Sequence, residues 1–263
     1  MTNVKSTPND ALQKPPATRT DGFRDCKWVV FDAVGTLIVP DPAVAVAYHA
    51  VGSRLGSQLS VTEVGERFRT VFRSSETDHF PGCSVVSTRW ATNDSVELAR
   101  WRWIVREVFS DVQEQETCFR ELWDHFARPN SWRCFEDVGV TIDRLAHSGL
   151  RLAIASNFDG RLNLVCDSLP ALAPIERRVI SAEVGSRKPA PEFYAALSRA
   201  CECNPHEILM VGDDLENDVL AARAAGFQAI YLDRDNSSVT DDGARSLVEL
   251  VPRLGIDLAQ AQD

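Results

Sequence analysis

The feature that most constrains this chain is an alternation. Past Phe135, strand-like segments at residues 150–155, 178–181, 208–211 and 228–232 interleave with helical stretches near 138–147, 160–169, 191–200, 216–225 and 244–251. Apolar runs of this kind suit strands buried on both faces. Such strands, alternating with helices, are expected to lie parallel in one sheet that the helices cover on both sides. The segment KWVVFDAVGTLIV at residues 27–39 supplies the first strand and breaks at Gly35. The expected fold class is therefore α/β, a doubly wound parallel sheet.

Between the first strand and this alternation lies a different region. Residues 42–126 show helical periodicity without a strand, most plainly at 61–72 and 96–109, with a loop expected over 74–93 because it is rich in Gly, Ser, Pro and Thr. The expected organisation is a disordered tail at 1–22, an α/β core from 23–41 and 127–263, and a helical module at 42–126. The tail is polar, carries Pro15 and Pro16 and lacks a signal-like apolar stretch. Export is not expected, and neither is a membrane span; a cytoplasmic location is.

A net charge of −10 argues against a nucleic-acid footprint. Seven cysteines, scattered and odd in number, read as reduced thiols, and Cys201-Glu202-Cys203 has the wrong spacing for a zinc pair. Lysine occurs only at Lys5, Lys14, Lys27 and Lys188.

In sheets of this class ligands bind beyond the carboxyl ends of the strands. The polar residues expected there are Asp32, Ser156-Asn157, and Asp213-Asp214 with Asp218, while Lys188 lies in the loop after the third strand, 178–181, counting the one at 27–39 as the first. Each alone has an ordinary explanation: a turn aspartate, a helix cap, a solvated loop lysine, helix N-terminal acids. Their joint placement is what points to a site. Carboxylates gathered with so little basic counterweight call for a divalent cation.

The quoted pieces FDAVGTL (31–37), ASNFD (155–159), SRKPAP (186–191) and GDDLEND (212–218) resemble, in order, the four motifs of the haloacid dehalogenase-like (HAD) superfamily. SNFD-x-RL and RWR-x-IV resemble the REG-2/HDHD3-type subgroup, and the insertion resembles a C1-type helical cap. The resemblance implies a Mg²⁺-dependent phosphatase acting on a small phosphorylated metabolite. Asp32 is then the nucleophile that forms an aspartyl-phosphate, and Ser156, Asn157, Thr36 and Lys188 serve the phosphoryl group and its loop. Asp32, the Val34 carbonyl, Asp213 and Asp218 hold the metal, with Asp214 a peripheral member.

One residue departs from that pattern. Family phosphatases place an acid two positions after the nucleophile, and here Val34 stands there. General acid–base help is worth roughly 10²–10⁴ in rate, so ordinary alkyl phosphates are expected to turn over slowly. Asp41, Asp78 or His79 can be considered as substitutes. Otherwise the substrate has a good leaving group, or the protein binds a phosphorylated ligand or a partner without hydrolysis. Metal-free 2-haloacid dehalogenation is a further alternative, disfavoured by the acidic fourth motif. A cap-lysine Schiff base is excluded by the lack of lysine between Lys27 and Lys188. The inserted arginines (Arg54, Arg67, Arg69, Arg73, Arg89, Arg100, Arg102, Arg106) can clamp an anionic substrate but read mostly as solvated charges, and Trp90, Trp101, Trp103 and Trp123 can line a pocket but read as core.

Overall fold

In the computed structural model, residues 23, 25–77, 89–235 and 243–256 are described. The expected tail at 1–22 lies outside them, as do Asp78, His79 and Cys83. Five strands form one parallel sheet: β1 (Trp28–Phe31), β4 (Arg151–Ser156), β5 (Arg177–Ile180), β6 (Ile208–Gly212) and β7 (Gln228–Tyr231), in the order β5-β4-β1-β6-β7. The chain winds outward from β1 in both directions. Its carboxyl edge is therefore the switch point where such sheets open a crevice.

Side-chain alternation on the strands divides the core in two. Val29, Phe31, Leu152, Ile154, Leu209 and Val211 face one way, where they pack on α5 (Val138–His147) and α6 (Arg161–Asp167). Trp28, Val30, Ala153, Ala155, Ile208 and Met210 face the other, against α8 (Pro191–Cys201) and α9 (Ala221–Ala224). Every residue of β1 is buried, which is why its sequence runs apolar without alternation. A four-residue helix, α7 (Ser181–Val184), follows β5 directly.

Four helices occupy the region before the alternation: α1 (Val44–Arg54), α2 (Val61–Thr77), α3 (Asp94–Val108) and α4 (Gln115–Ala127). They enclose an apolar cluster of their own, including Tyr48, Val64, Ile104, Phe109, Phe119 and Leu122. Burying side chains of this size is worth about 1.5–3 kcal/mol each, so the four helices carry a core distinct from the two around the sheet.

Several local expectations are corrected. β2 (Ile38–Pro40) and β3 (Trp132–Cys134) form an antiparallel pair at the two ends of the helical module, with Val39 opposite Arg133. At three residues each, they are too short to show a period. Helix α2 runs on to Thr77, into the stretch expected to be a loop. Ala244 does not start a helix; it exchanges backbone hydrogen bonds with Tyr231 and Asp233 beyond β7, and helical turns begin only at Leu247–Glu249, followed by α10 (Leu250–Arg253). The helix after β6 opens with a π-helical turn, Leu215–Leu220, before α9. Among the described residues no helix is long and apolar enough to cross a membrane, and the described cysteines are free thiols.

Candidate active site

Asp32 leaves the sheet directly after β1, where its N–H donates to Val211 O at 2.9 Å. The register places Phe31 beside Ile154 and Val211, so Asp32 stands between the ends of β4 and β6. Those ends carry Ser156 and the Gly212-Asp213 step. Lys188 arrives from the other direction and is 3% exposed. Its ammonium donates to Asp32 Oδ1 at 2.7 Å, Asp218 Oδ1 at 2.6 Å and the carbonyl of Ala155 at 2.9 Å. Three donors meet three acceptors, the full capacity of a lysine.

Asp213 is fixed from the β1 loop. Thr36, fully buried, donates its hydroxyl to Asp213 Oδ1 at 2.9 Å and accepts from the Asp213 N–H at 3.1 Å. The approach is close enough that Gly35, in the left-handed region at φ +91°, has no room for a Cβ without overlapping the Asp213 carboxylate. A Cβ on Gly212 would likewise overlap Asp218. Two glycines thus make space for two carboxylates.

Asp32, Asp213 and Asp218 each present an oxygen within 4.8 Å of the others. One ammonium cannot balance three carboxylates in so enclosed a place. Burial first, and then the neighbouring aspartates, push the Asp213 and Asp218 carboxyls above the ordinary range. Asp213 shows this even though its outer side is open to solvent. Burial alone would lower Lys188, but the charges of Asp218 and Asp32 outweigh it and raise it well above its usual value. The aspartate shifts report burial first and crowded carboxylates second, and the lysine shift reports its two carboxylate partners. Asp32 and Asp213 each keep one carboxylate oxygen clear of these hydrogen bonds. All-oxygen donors with a negative surplus and water access fit a small hard cation such as Mg²⁺.

The remaining expected residues take different places. Asp214 turns away from the cluster and caps the following turn, accepting from Glu216 N and Asn217 N. The Asn157 side-chain amide holds the Lys188 backbone, accepting from the N–H at 2.8 Å and donating one of its two N–H groups to the carbonyl at 3.0 Å. It is a clamp for the lysine segment. Ser156 is buried at the end of β4, two residues past Ile154, the partner of Phe31 in the register. Asp41 is exposed and pairs with exposed Arg133 at 3.7 Å.

Val34 lines a cavity of about 280 Å³ between the sheet edge and α1–α4. Its walls include Trp101, Trp123, Phe126, Trp132 and Phe158, with Arg100, Arg187 and Glu76 also on the lining. Trp101 and Trp123 pack on the core of the helical module and also line this cavity, and Arg100, 2% exposed, is one of the inserted arginines that is not a solvated charge. The reason is cooperative. A buried guanidinium is tolerated only where partners meet it: Glu97 does so from one turn earlier on α3, and Ser75 from α2.

Two supports could not be read from local pattern. Arg234 grips Asp137 through two 3.0 Å hydrogen bonds and donates to the Thr36 carbonyl at 2.7 Å, bracing the β1 loop from behind. Asp159, 2% exposed, holds Arg161 by two 2.7 Å bonds, and the guanidinium lies 3.4 Å over the Trp123 ring. The D-x-R step of SNFDGRL thus ties α6 to α4.

Residues 26–226 match the haloacid dehalogenase-like hydrolase family, and the chain belongs to it. It is similar to haloacid dehalogenase-like hydrolase domain-containing protein 3 of Danio rerio, 23% identical over 81% of this chain and 88% of that one. It is also similar to phosphoserine phosphatase of Thermus thermophilus, 28% identical over 79% and 89%. A solved dehalogenase shares its fold, with a TM-score of 0.68 at 19% identity over 90% of this chain and all of the other.

Proposed function

We propose that this hydrolase is a Mg²⁺-dependent phosphohydrolase acting on a small phosphorylated molecule through an aspartyl-phosphate on Asp32. The observation that carries the reading is the Lys188 ammonium bridging Asp32 and Asp218, with Asp213 completing the triad. Lys188 holds Asp32 Oδ1, which orients Oδ2 for attack on phosphorus. As that bond forms, the bond to the leaving oxygen breaks and its electron pair departs with it. Water then cleaves the aspartyl-phosphate to release inorganic phosphate and restore Asp32. Ser156 donates a hydrogen bond to the phosphoryl oxygens and the Lys188 charge offsets theirs, while Thr36 and Asn157 hold Asp213 and the lysine segment in place. Asp32, Asp213, Asp218 and the Val34 carbonyl would hold the Mg²⁺, which supplies charge neutralisation at the phosphoryl group.

Val34 leaves the departing oxygen without a proton from that position. Substrates whose leaving groups are already acidic, aryl or acyl phosphates, therefore suit the site better than alkyl esters. Helices α1–α4 act as a cap that excludes water and selects the leaving group. The dehalogenase alternative asks for no metal, and the surplus of negative charge at the triad weighs against it. Val34 is also what favours a second reading, a protein that binds a phosphorylated ligand without turning it over.

The test is phosphate release from p-nitrophenyl phosphate and acetyl phosphate, with Mg²⁺ and with EDTA, for wild type beside Asp32→Asn. Mg²⁺-dependent release that disappears in the variant supports the hydrolase. No release from either substrate transfers the case to the binding protein, and halide release from a 2-haloacid without Mg²⁺ would revive the dehalogenase.

A further inference from the structure

The cavity above Val34 holds two buried guanidiniums that the phosphoryl site does not use. Arg100, on α3, is 2% exposed, and Arg187, next to Lys188, is 8% exposed. Both line the cavity with Glu76. Their neighbours are unevenly matched. Arg100 Nε donates to Ser75 at 3.0 Å and Nη1 to Glu97 at 3.4 Å. Glu97 is already committed, since its other oxygen accepts from Thr92 at 2.7 Å. Glu76 stands 3.8 Å from Arg100 Nη2 and 3.9 Å from Arg187 Nη2, beyond hydrogen-bond reach of both. Among the described residues Arg100 Nη2 and Arg187 Nε have no hydrogen-bond partner.

A buried guanidinium with unmatched donors is expensive. A purely structural ion-pair network would close those bonds; this one leaves one donor of each arginine unmatched, on two residues that both line the cavity. Burial, with Arg100 next, brings Arg187 down to about 10, and burial raises Glu76 despite both arginines. The Glu76 carboxylate is a weak occupant of its place. The pair is nonetheless firmly built. The Arg187 N–H donates to Trp90 O at 2.9 Å, and Thr92 N–H to Gly185 O at 3.2 Å, so the strip before α3 and the strip before Lys188 move as one.

We infer that Arg100 and Arg187 form a subsite for a second anionic group, a carboxylate or phosphate, on a substrate whose aromatic-sized apolar body fills the cavity and whose phosphoryl group lies at Asp32. The inference rests on the phosphohydrolase reading and narrows its substrate class. Bidentate capture of a planar anion is the chemistry that guanidinium does best, and Trp101, Trp123, Phe126, Trp132 and Phe158 supply faces for a ring. The class also accounts for Val34. A phenolic leaving group, with a pKa of about 10, departs with little protonation, so an apolar residue costs such a substrate less than it costs an alkyl ester.

The experiment is calorimetric titration of the full-length Asp32→Asn variant, in Mg²⁺, with phenyl phosphate and with its 2-, 3- and 4-carboxyl derivatives. At least one derivative is expected to bind about tenfold or more tighter than phenyl phosphate, as a charge-assisted pair would give. Adding Arg187→Gln should erase that gain and leave phenyl phosphate unchanged. Should that variant not fold, Glu76→Gln decides instead. It lies at the partly exposed rim, removes the competing carboxylate, and should tighten the carboxylated ligand a further ~3-fold or more without affecting phenyl phosphate. Binding of phenyl phosphate with no preference for any derivative, in Asp32→Asn and in Asp32→Asn/Glu76→Gln, overturns the subsite and leaves the phosphohydrolase standing. Binding of none of the four overturns both.

Discussion

Arg187 and Lys188 are consecutive and both buried, yet they sit in opposite electrostatic settings. The lysine has every donor matched and two carboxylates against it, in a cluster with negative charge to spare. The arginine, one residue earlier, faces an aromatic cavity where one carboxylate stands too far away to bond. A cluster in the first condition takes up cations; a pair in the second takes up anions. On the proposed function, the contrast separates the chemistry, held on the sheet edge, from the selection of substrate, held where the helical module meets it.

The comparison is broken most decisively at the nucleophile. Asp32→Asn is expected to lower phosphate release by about 10⁴-fold or more while the circular dichroism spectrum stays that of the wild type; residual activity above that level would remove Asp32 from its role. Next comes the charge that joins the halves. Lys188→Met leaves buried carboxylates unpaired and should cost about 3–5 kcal/mol of stability, read by urea denaturation in EDTA. A loss below 1 kcal/mol would show that the aspartates are not ionised together around it.

Smaller is the effect of returning an acid to the cavity floor. Val34→Asp should raise kcat/KM on an alkyl phosphate by about 10–100-fold, within the range of general acid catalysis, and change an aryl phosphate much less. An equal gain on both would mean that leaving-group protonation is not what Val34 limits.

The negative surplus can be titrated. Asp213 and Asp218 are raised in the folded state, so between the unfolded and folded pKa values the native protein holds more protons than the unfolded chain. Stability in EDTA should therefore fall as pH rises through that window, from near 4 upward. Mg²⁺ should offset the loss, giving about 2.7 kcal/mol at a hundred times its Kd. The melting temperature, with and without Mg²⁺ at pH 5 and pH 8, checks it: a Mg²⁺ increment no larger at pH 8 contradicts the site. Smallest is the tie between α6 and α4. Arg161→Ala removes a cation–π contact worth about 0.5–2 kcal/mol and should lower stability by that order, while KM rises more than kcat falls. A fall in kcat alone would place Arg161 in the chemistry rather than at the contact with the helices.

Much of this was legible before any coordinates. The strands showed because the central ones, β1 and β6, are fully buried and read as apolar runs, and Asp32, Ser156 and Asp213 follow from strand ends that are local in the chain. The tight loop after β1 announced itself through Gly35. What stayed hidden has a common cause. β2 and β3 are three residues each and form only by pairing across the whole helical module. Nothing in the neighbourhood of Asn157 says that its amide also holds the Lys188 backbone, 31 residues further along.

The sequence by itself determined the class of sheet, the order of its strands along the chain and the identity of the charged residues at its edge, since these depend on periodicity and on positions next to strand termini. Only the tertiary structure decided which charges are matched. Arg100 on α3 resembles any exposed helix arginine until β5's following loop brings Arg187 against the same cavity. Hydrophobic burial is written residue by residue, but the balance of charge in an enclosed space depends on every group that folding brings there, and distant segments supply most of them.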